Sequence, residues 1–251
     1  MWKDRENRGK ERNKMKTVRI FWAGDSTVKY NRIDTYPQTG IGQVLGLYLK
    51  PEVRVFDMAE NGRSTKSFMD EGRLAAIERE LKPGDFFFIQ FGHNDEKKED
   101  PLRYTEAFGS FQENLRTYIQ AARNRGAWPV LISPIERRRF DEQGNFQTGT
   151  HGPYPEAMEQ VAQEEQVPFV DMTEKSGRFL AREGKGKTVC FFMHIKPGEF
   201  PGTRYEQGLA DDTHLRYEGA VKMAGLVAEG LWELGGRYRE LVWEEAREKN
   251  F

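Results

Sequence analysis

Three polar clusters, each following an apolar run, carry side chains able to do chemistry. Val18-Arg19-Ile20-Phe21-Trp22 ends in Ala23-Gly24-Asp25-Ser26-Thr27, and Val53-Arg54-Val55-Phe56-Asp57-Met58 is broken by Asn61-Gly62-Arg63-Ser64. Asp85-Phe86-Phe87-Phe88-Ile89-Gln90-Phe91 ends in Gly92-His93-Asn94-Asp95. A fourth cluster, Asp211-Asp212-Thr213-His214, lies just before the last helical segment. A serine hydroxyl is a weak nucleophile and needs a base within hydrogen-bond reach. His214 is suited to take the Ser26 proton, and Asp211 to fix the imidazole tautomer and stabilise the imidazolium. Charge developing on a carbonyl oxygen needs fixed donors. The backbone N–H groups of Ser26 and Gly62 and the side-chain amide of Asn94 can supply them, each worth ~3 kcal/mol of transition-state stabilisation. Together these residues meet the demands of acyl transfer.

For that chemistry the clusters must meet in space, and the intervening pattern provides the means. Apolar strand-like runs alternate with helix-like segments along the whole chain. After the first strand, Ile41, Val44, Leu45 and Leu47–Leu49 recur at helical spacing and stop before Pro51. Ser64 is placed to cap a helix running through Leu74, Ile77 and Leu81 to Pro83-Gly84. The 85–91 run is apolar on both faces, the pattern of a central parallel strand covered by helices. An amphipathic segment from about Tyr104 to Arg125 precedes a fourth strand at Trp128–Ser133. A short helix over Pro155–Gln166, a fifth strand at Val167–Asp171 and a short helix from Thr173 follow, and the last helix spans Tyr217–Leu234. Pro134–Gly152 has the charge and glycine content of a surface loop, whereas the pattern assigns no element to Gly184–Gly208. This alternation predicts a single three-layer α/β/α domain with a five-stranded, mostly parallel sheet. In such sheets ligands bind beyond the carboxyl ends of the strands, where the first three clusters would lie.

Composition narrows the function further. With 39 basic and 40 acidic side chains the net charge is -1, which argues against a polyanion or nucleic-acid binder. No apolar run approaches the ~20 residues that a membrane span requires. Residues 1–16 form a charged extension without the apolar core of a secretory signal, and the domain is expected over 17–251. A single cysteine, Cys190, rules out an intramolecular disulfide, and a cytoplasmic location is expected.

The four clusters, in this order, resemble the four blocks of the SGNH (GDSL-like) hydrolase superfamily. That resemblance covers about Thr17 to Leu234 and implies a flavodoxin-like fold. It implies Ser26 as nucleophile, Ser26, Gly62 and Asn94 as oxyanion donors, and His214 with Asp211 as base and orienting acid. The Asp-x-x-His spacing selects Asp211 over Asp212, which fits a solvated loop or cap acid. Gly24-Asp25-Ser26-Thr27, Gly40-Ile41-Gly42-Gln43, Asn61-Gly62-Arg63-Ser64 and Gln90–Asp95 are most similar to the rhamnogalacturonan acetylesterase branch. The resemblance therefore implies removal of O-acetyl groups from pectic oligosaccharides, without metal or cofactor. The alternatives are an acetyl-xylooligosaccharide esterase, a lipase or thioesterase of the same superfamily, or a non-catalytic carbohydrate-binding module. An acetylated oligosaccharide is the expected partner, with neither nucleic acid nor membrane, and the oligomeric state is open.

Other reactive residues have plainer expectations. His93 either lines the pocket or makes a structural hydrogen bond. Arg63 either binds a sugar carboxylate or is a surface residue or pairs with Asp25 or Asp95. His151 and His194 lack a second ligand at metal spacing. Cys190 is expected to be a buried hydrophobe. Glu136-Arg137-Arg138-Arg139 is expected to be a solvated loop, or a cleft rim attracting an acidic glycan.

Overall fold

The computed structural model describes residues 17–244, and the expectation for the 1–16 extension lies outside the described residues. Five parallel strands, β1 (Val18–Gly24), β2 (Val53–Asp57), β3 (Phe86–Gln90), β4 (Trp128–Ile132) and β5 (Phe169–Val170), form one sheet in the order β2-β1-β3-β4-β5. β3 lies at its centre, and all five of its residues, Phe-Phe-Phe-Ile-Gln, are buried. The period of two divides the apolar residues between two cores. Ile20, Trp22, Phe86, Phe88, Val130 and Ile132 face one way, and Phe21, Ala23, Phe87, Ile89 and Leu131 the other.

Helices cover both faces, as a parallel sheet requires. The first core is closed by α1 (Ile41–Val44), α6 (Met172–Thr188) and α7 (Tyr217–Leu234), with the short α8 (Gly236–Arg239) following. The second is closed by α2 (Thr65–Asp70), α3 (Arg73–Glu80), α4 (Gln112–Asn124) and α5 (Tyr154–Glu164). The architecture is the expected three-layer α/β/α fold.

Several boundaries differ from the sequence expectation for local reasons. The helix expected from Ser64 to Leu81 is two helices, because Gly72 takes φ 73°, outside the right-handed region. Ser64 does cap α2: its side chain accepts from Ser67 N, and Ser67 Oγ accepts from Ser64 N, a reciprocal box. The segment from Tyr104 becomes regular only at Gln112, after an irregular turn over Ala107–Phe111 that includes Gly109. The short helix expected from Thr173 is a 17-residue helix with a break at Gly184.

The largest departure is a second sheet. β6 (Phe192–Ile195) and β7 (Leu209–Leu215) form an antiparallel pair with Met193 opposite Asp211. Asp211 and His214 therefore ride on a hairpin strand just before the last helix, an element the sequence pattern did not assign. β7 alternates weakly and is mostly polar, Leu-Ala-Asp-Asp-Thr-His-Leu, so its pattern carries no strand signal.

The hairpin is held against the body where α7 begins. There a Cβ on Gly219 would stand 2.0 Å from Phe191 O, a backbone atom unable to yield. Gly219→Ala is expected to cost about 3 kcal/mol by overpacking, measured as a lower urea midpoint. Gly46→Ala, which meets nothing within 4 Å, should leave the midpoint nearly unchanged.

Candidate active site

Strand register assembles three of the clusters. Gly24 of β1 pairs with Gln90 of β3, and Trp22 pairs with Asp57 of β2, so the chain leaves all three strands at one edge. Ser26 follows two residues after β1, held in a turn in which Asp25 Oδ1 accepts from Thr27 N at 2.9 Å and Thr27 Oγ1 at 2.8 Å. The Gly40–Gln43 motif fixes the far side of this turn. Ile41 N and Gly42 N donate to Thr27 O and Val28 O, both at 2.9 Å, and Gln43 Oε1 accepts from Asn31 N. Glycine is needed at 40 because a Cβ there would lie 2.1 Å from Lys29 O.

Ser26 and His214, 188 positions apart, come within 2.9 Å, Oγ to Nε2. His214 Nδ1 lies 2.7 Å from Asp211 Oδ2. A carboxylate only accepts, so Nδ1 carries the proton and Nε2 is left as the acceptor for the serine hydroxyl. Asp211 is itself fixed: its Oδ1 accepts from Thr213 N at 2.8 Å and His214 N at 2.9 Å. Burial pushes the Asp211 pKa up, but the hydrogen bonds and charge of His214 outweigh it, and the net shift is downward.

Gly62 takes φ 71°, a conformation that suits glycine and shapes the turn after β2. Among the described residues neither Ser26 N–H nor Gly62 N–H has a protein acceptor. Asn94 donates through Nδ2 to Arg63 O at 3.1 Å, leaving its second amide hydrogen uncommitted. Its Oδ1 accepts from Arg103 Nη1 at 3.3 Å, which fixes the amide orientation. The structure thus brings Ser26, His214 and Asp211 into one hydrogen-bonded series.

The remaining candidates fare differently. His93 is buried edge-on against His151, ring centroids 4.4 Å apart, and neither of its nitrogens has a partner among the described residues. Burial, with the nearby positive groups, holds its pKa well below the usual histidine value. Arg63 pairs with neither Asp25 nor Asp95: its guanidinium binds Glu71 at 2.7 Å and Asn61 O at 2.7 Å. Asp212 is exposed, as expected of a solvated acid, but lies on β7 rather than in a loop, with Oδ1 2.7 Å from His194 Nε2 and 3.0 Å from Arg138 Nη1.

Two further expectations are corrected. Cys190 is exposed, because the 3-10 turn Val189–Phe191 points Phe191 inward and leaves the cysteine outside. Glu136 and Arg138 are buried rather than solvated. Glu136 accepts from Gly149 N and Thr150 N, and Arg138 donates to Thr188 Oγ1, Lys185 O and Asp212. Charge alone marked the run as surface, and it carries no sign of these distant acceptors and donors. Among the described residues no group of three or more His, Cys, Asp or Glu side chains is placed to hold a metal ion, and no helix is long and apolar enough to cross a membrane.

The fold and this array define an ester hydrolase, and the comparison with known proteins agrees. The chain belongs to the GDSL-like Lipase/Acylhydrolase family, whose pattern matches residues 23–220. It is similar to the rhamnogalacturonan acetylesterase RhgT of Bacillus subtilis (strain 168), 40% identical over 234 residues covering 93% of this chain and 98% of that one. It is equally similar to the probable rhamnogalacturonan acetylesterase YesY of the same organism, 40% identical over 226 residues, 90% of this chain and 98% of the other. Among solved structures, the YxiM protein of Bacillus subtilis superposes with a TM-score of 0.73 at 27% identity, over 88% of this chain and 58% of that one. The protein is accordingly a serine-type esterase of the rhamnogalacturonan acetylesterase-like branch.

Behind the serine lies a buried acidic layer. Asp25 and Asp95 each leave Oδ2 without a partner among the described residues. Burial raises the pKa of both, that of Asp95 to about 7, despite donors from Thr65 and Thr105. A carboxyl with a higher pKa folded than unfolded stabilises the fold fully below about pH 4, and that contribution is lost as pH rises through about 7. Asp95→Asn is therefore expected to flatten the fall in unfolding free energy between about pH 4 and 7. Urea titrations at stepped pH measure it, and an unchanged slope would place the Asp95 transition elsewhere.

Proposed function

We propose that this protein removes O-acetyl groups from acetylated rhamnogalacturonan-type oligosaccharides. The observation that carries the mechanism is the Ser26–His214–Asp211 series at 2.9 and 2.7 Å. The substrate class rests on the match, over nine-tenths of the chain, to two relatives that bear that activity in their names.

In this reading Ser26 Oγ attacks the acetyl carbonyl while its proton passes to His214 Nε2. The imidazolium is held by Asp211, whose lowered pKa keeps it ionised as a counter-charge. The carbonyl oxygen becomes an oxyanion between Ser26 N–H, Gly62 N–H and the second Asn94 amide hydrogen. All three are fixed before the reaction begins, so they reorganise little as charge builds. The tetrahedral species collapses, the C–O bond to the sugar breaks, and His214 returns the proton to the departing sugar oxygen. A water molecule, deprotonated by the same nitrogen, then attacks the acetyl-serine. Acetate leaves, and the proton goes back to Ser26.

Acetate release from acetylated rhamnogalacturonan oligosaccharides, acetylated xylo-oligosaccharides and a long-chain ester tests both parts of the proposal. The first substrate should be preferred, and Ser26→Ala should abolish its turnover. Asn94→Ala should lower kcat by about 100- to 1000-fold with a smaller effect on KM. A preference for xylan fragments would replace the substrate and keep the mechanism, whereas turnover surviving in Ser26→Ala would remove Ser26 as nucleophile.

A further inference from the structure

A side-chain amide serves as a fixed oxyanion donor only if its plane is held, because one hydrogen bond leaves it free to pivot. In this protein both ends of the Asn94 amide are held. Nδ2 donates to Arg63 O at 3.1 Å, and Oδ1 accepts from Arg103 Nη1 at 3.3 Å. A carbonyl only accepts and a guanidinium only donates, so the two contacts also exclude the flipped amide. Arg103 Nη1 lies 3.5 Å from where a Gly62 Cβ would stand. One cationic nitrogen therefore stands against both of the turns that carry Gly62 and Asn94.

The segment after Asn94 holds that guanidinium in place. Its neck is closed by Thr105, whose N donates to Asp95 O at 3.0 Å and whose Oγ1 donates to Asp95 Oδ1 at 2.9 Å. Tyr154 Oη donates to Asp95 O at 3.0 Å across the same neck. Within the loop, Asp100 Oδ2 accepts from Arg103 Nε in an ion pair, and Asp100 O accepts from Arg103 N at 3.0 Å. Asp100 Oδ1 accepts from Leu102 N at 3.1 Å, so the carboxylate is itself oriented. The Arg103 guanidinium holds the Asp100 carboxyl below the usual carboxylate range, which keeps the pair ionised. A guanidinium is a rigid planar fork, and anchoring Nε fixes where its Nη groups point. The positive charge beside Oδ1 also polarises the amide, which makes its N–H groups stronger donors.

We propose that Arg103 is a positioning residue for the reaction: set by Asp100, it fixes and polarises the Asn94 amide and acts on the transition state through it. This role rests on the reading of Asn94 as an oxyanion donor and names the group that keeps it one. It gives Arg103 no contact with the reacting atoms. Its effect is realised as charge builds on the carbonyl oxygen rather than when the ester binds, so it falls on kcat.

The test is a double-mutant cycle between Arg103 and Asn94, read as kcat and KM for 4-nitrophenyl acetate, with urea midpoints showing that each variant is folded. This ester carries no sugar, so the cycle is independent of the proposed substrate. Arg103→Met should lower kcat about 10- to 100-fold, the order expected for a hydrogen bond from a charged group, with KM changed by less than about twofold. Asp100→Asn, which frees Nε and keeps the guanidinium, should lower kcat by a smaller factor, and it runs the same cycle without depending on Arg103→Met to fold. In the Asn94→Ala background neither substitution should change kcat by more than about twofold. A loss that persists in full in that background, or a kcat untouched by both substitutions in the native background, would overturn the role of Arg103. Asn94→Ala alone judges the reading beneath it: an unchanged kcat there would remove Asn94 from the oxyanion site, and the role of Arg103 with it.

Discussion

A single buried oxygen, Asp95 Oδ1, ties together the loops on which the site depends. It accepts from Thr65 N at 3.0 Å, Thr65 Oγ1 at 2.6 Å and Thr105 Oγ1 at 2.9 Å. Thr65 begins the helix that follows the Gly62 turn, and Thr105 closes the loop that follows Asn94. Gly62 and Asn94, in the turns after two separate strands and proposed as oxyanion donors, are thereby referenced to one carboxylate. Fixed donors stabilise charge better than mobile ones because they reorganise little when charge appears. Burying an acid whose second oxygen has no partner among the described residues is costly, and the raised pKa records that cost. The molecule accepts strain in protonation at this point in exchange for geometry at the surface above it.

Ser26 and the His214–Asp211 pair are fixed by different means. Ser26 belongs to the parallel sheet, pinned by the Asp25 turn and by the glycine-bearing segment at 40–43 that packs on its carbonyls. His214 and Asp211 belong to an antiparallel hairpin outside that sheet. The hairpin meets the body through Gln38, bridged to Arg216, and through Thr39 N, which donates to Leu215 O at 2.9 Å. Asp212 braces the same strand by accepting from Arg138, and this explains why a charged side chain from an otherwise exposed-looking run is buried.

The sheet was legible because its strands are short apolar runs bounded by glycine, proline and polar turns, and because the central strand is apolar on both faces. The candidate site was legible because serine, glycine and asparagine fall where the chain leaves a strand, and the histidine follows an aspartate by three residues. Features that depend on pairing between distant segments were not. Nothing in Leu209–Leu215 marks a strand, since its pleat is filled by the side chains of the site rather than by apolar residues. Glu136 and Arg138 have the same composition as solvated charges and differ only in their partners. Arg103 carried no signal at all, because what distinguishes it is its contact with the Asn94 amide.

The separation of 188 positions between Ser26 and His214 also bears on the order in which the protein becomes chemically competent. A chain emerging from its N-terminus completes all five parallel strands by Val170, before either hairpin strand exists. In the proposed mechanism a chain without the hairpin has the serine and its oxyanion donors but no base. The base is therefore the last part of the proposed site to be synthesised. Because β7 carries Asp211 and His214 together, base and orienting acid enter as a unit.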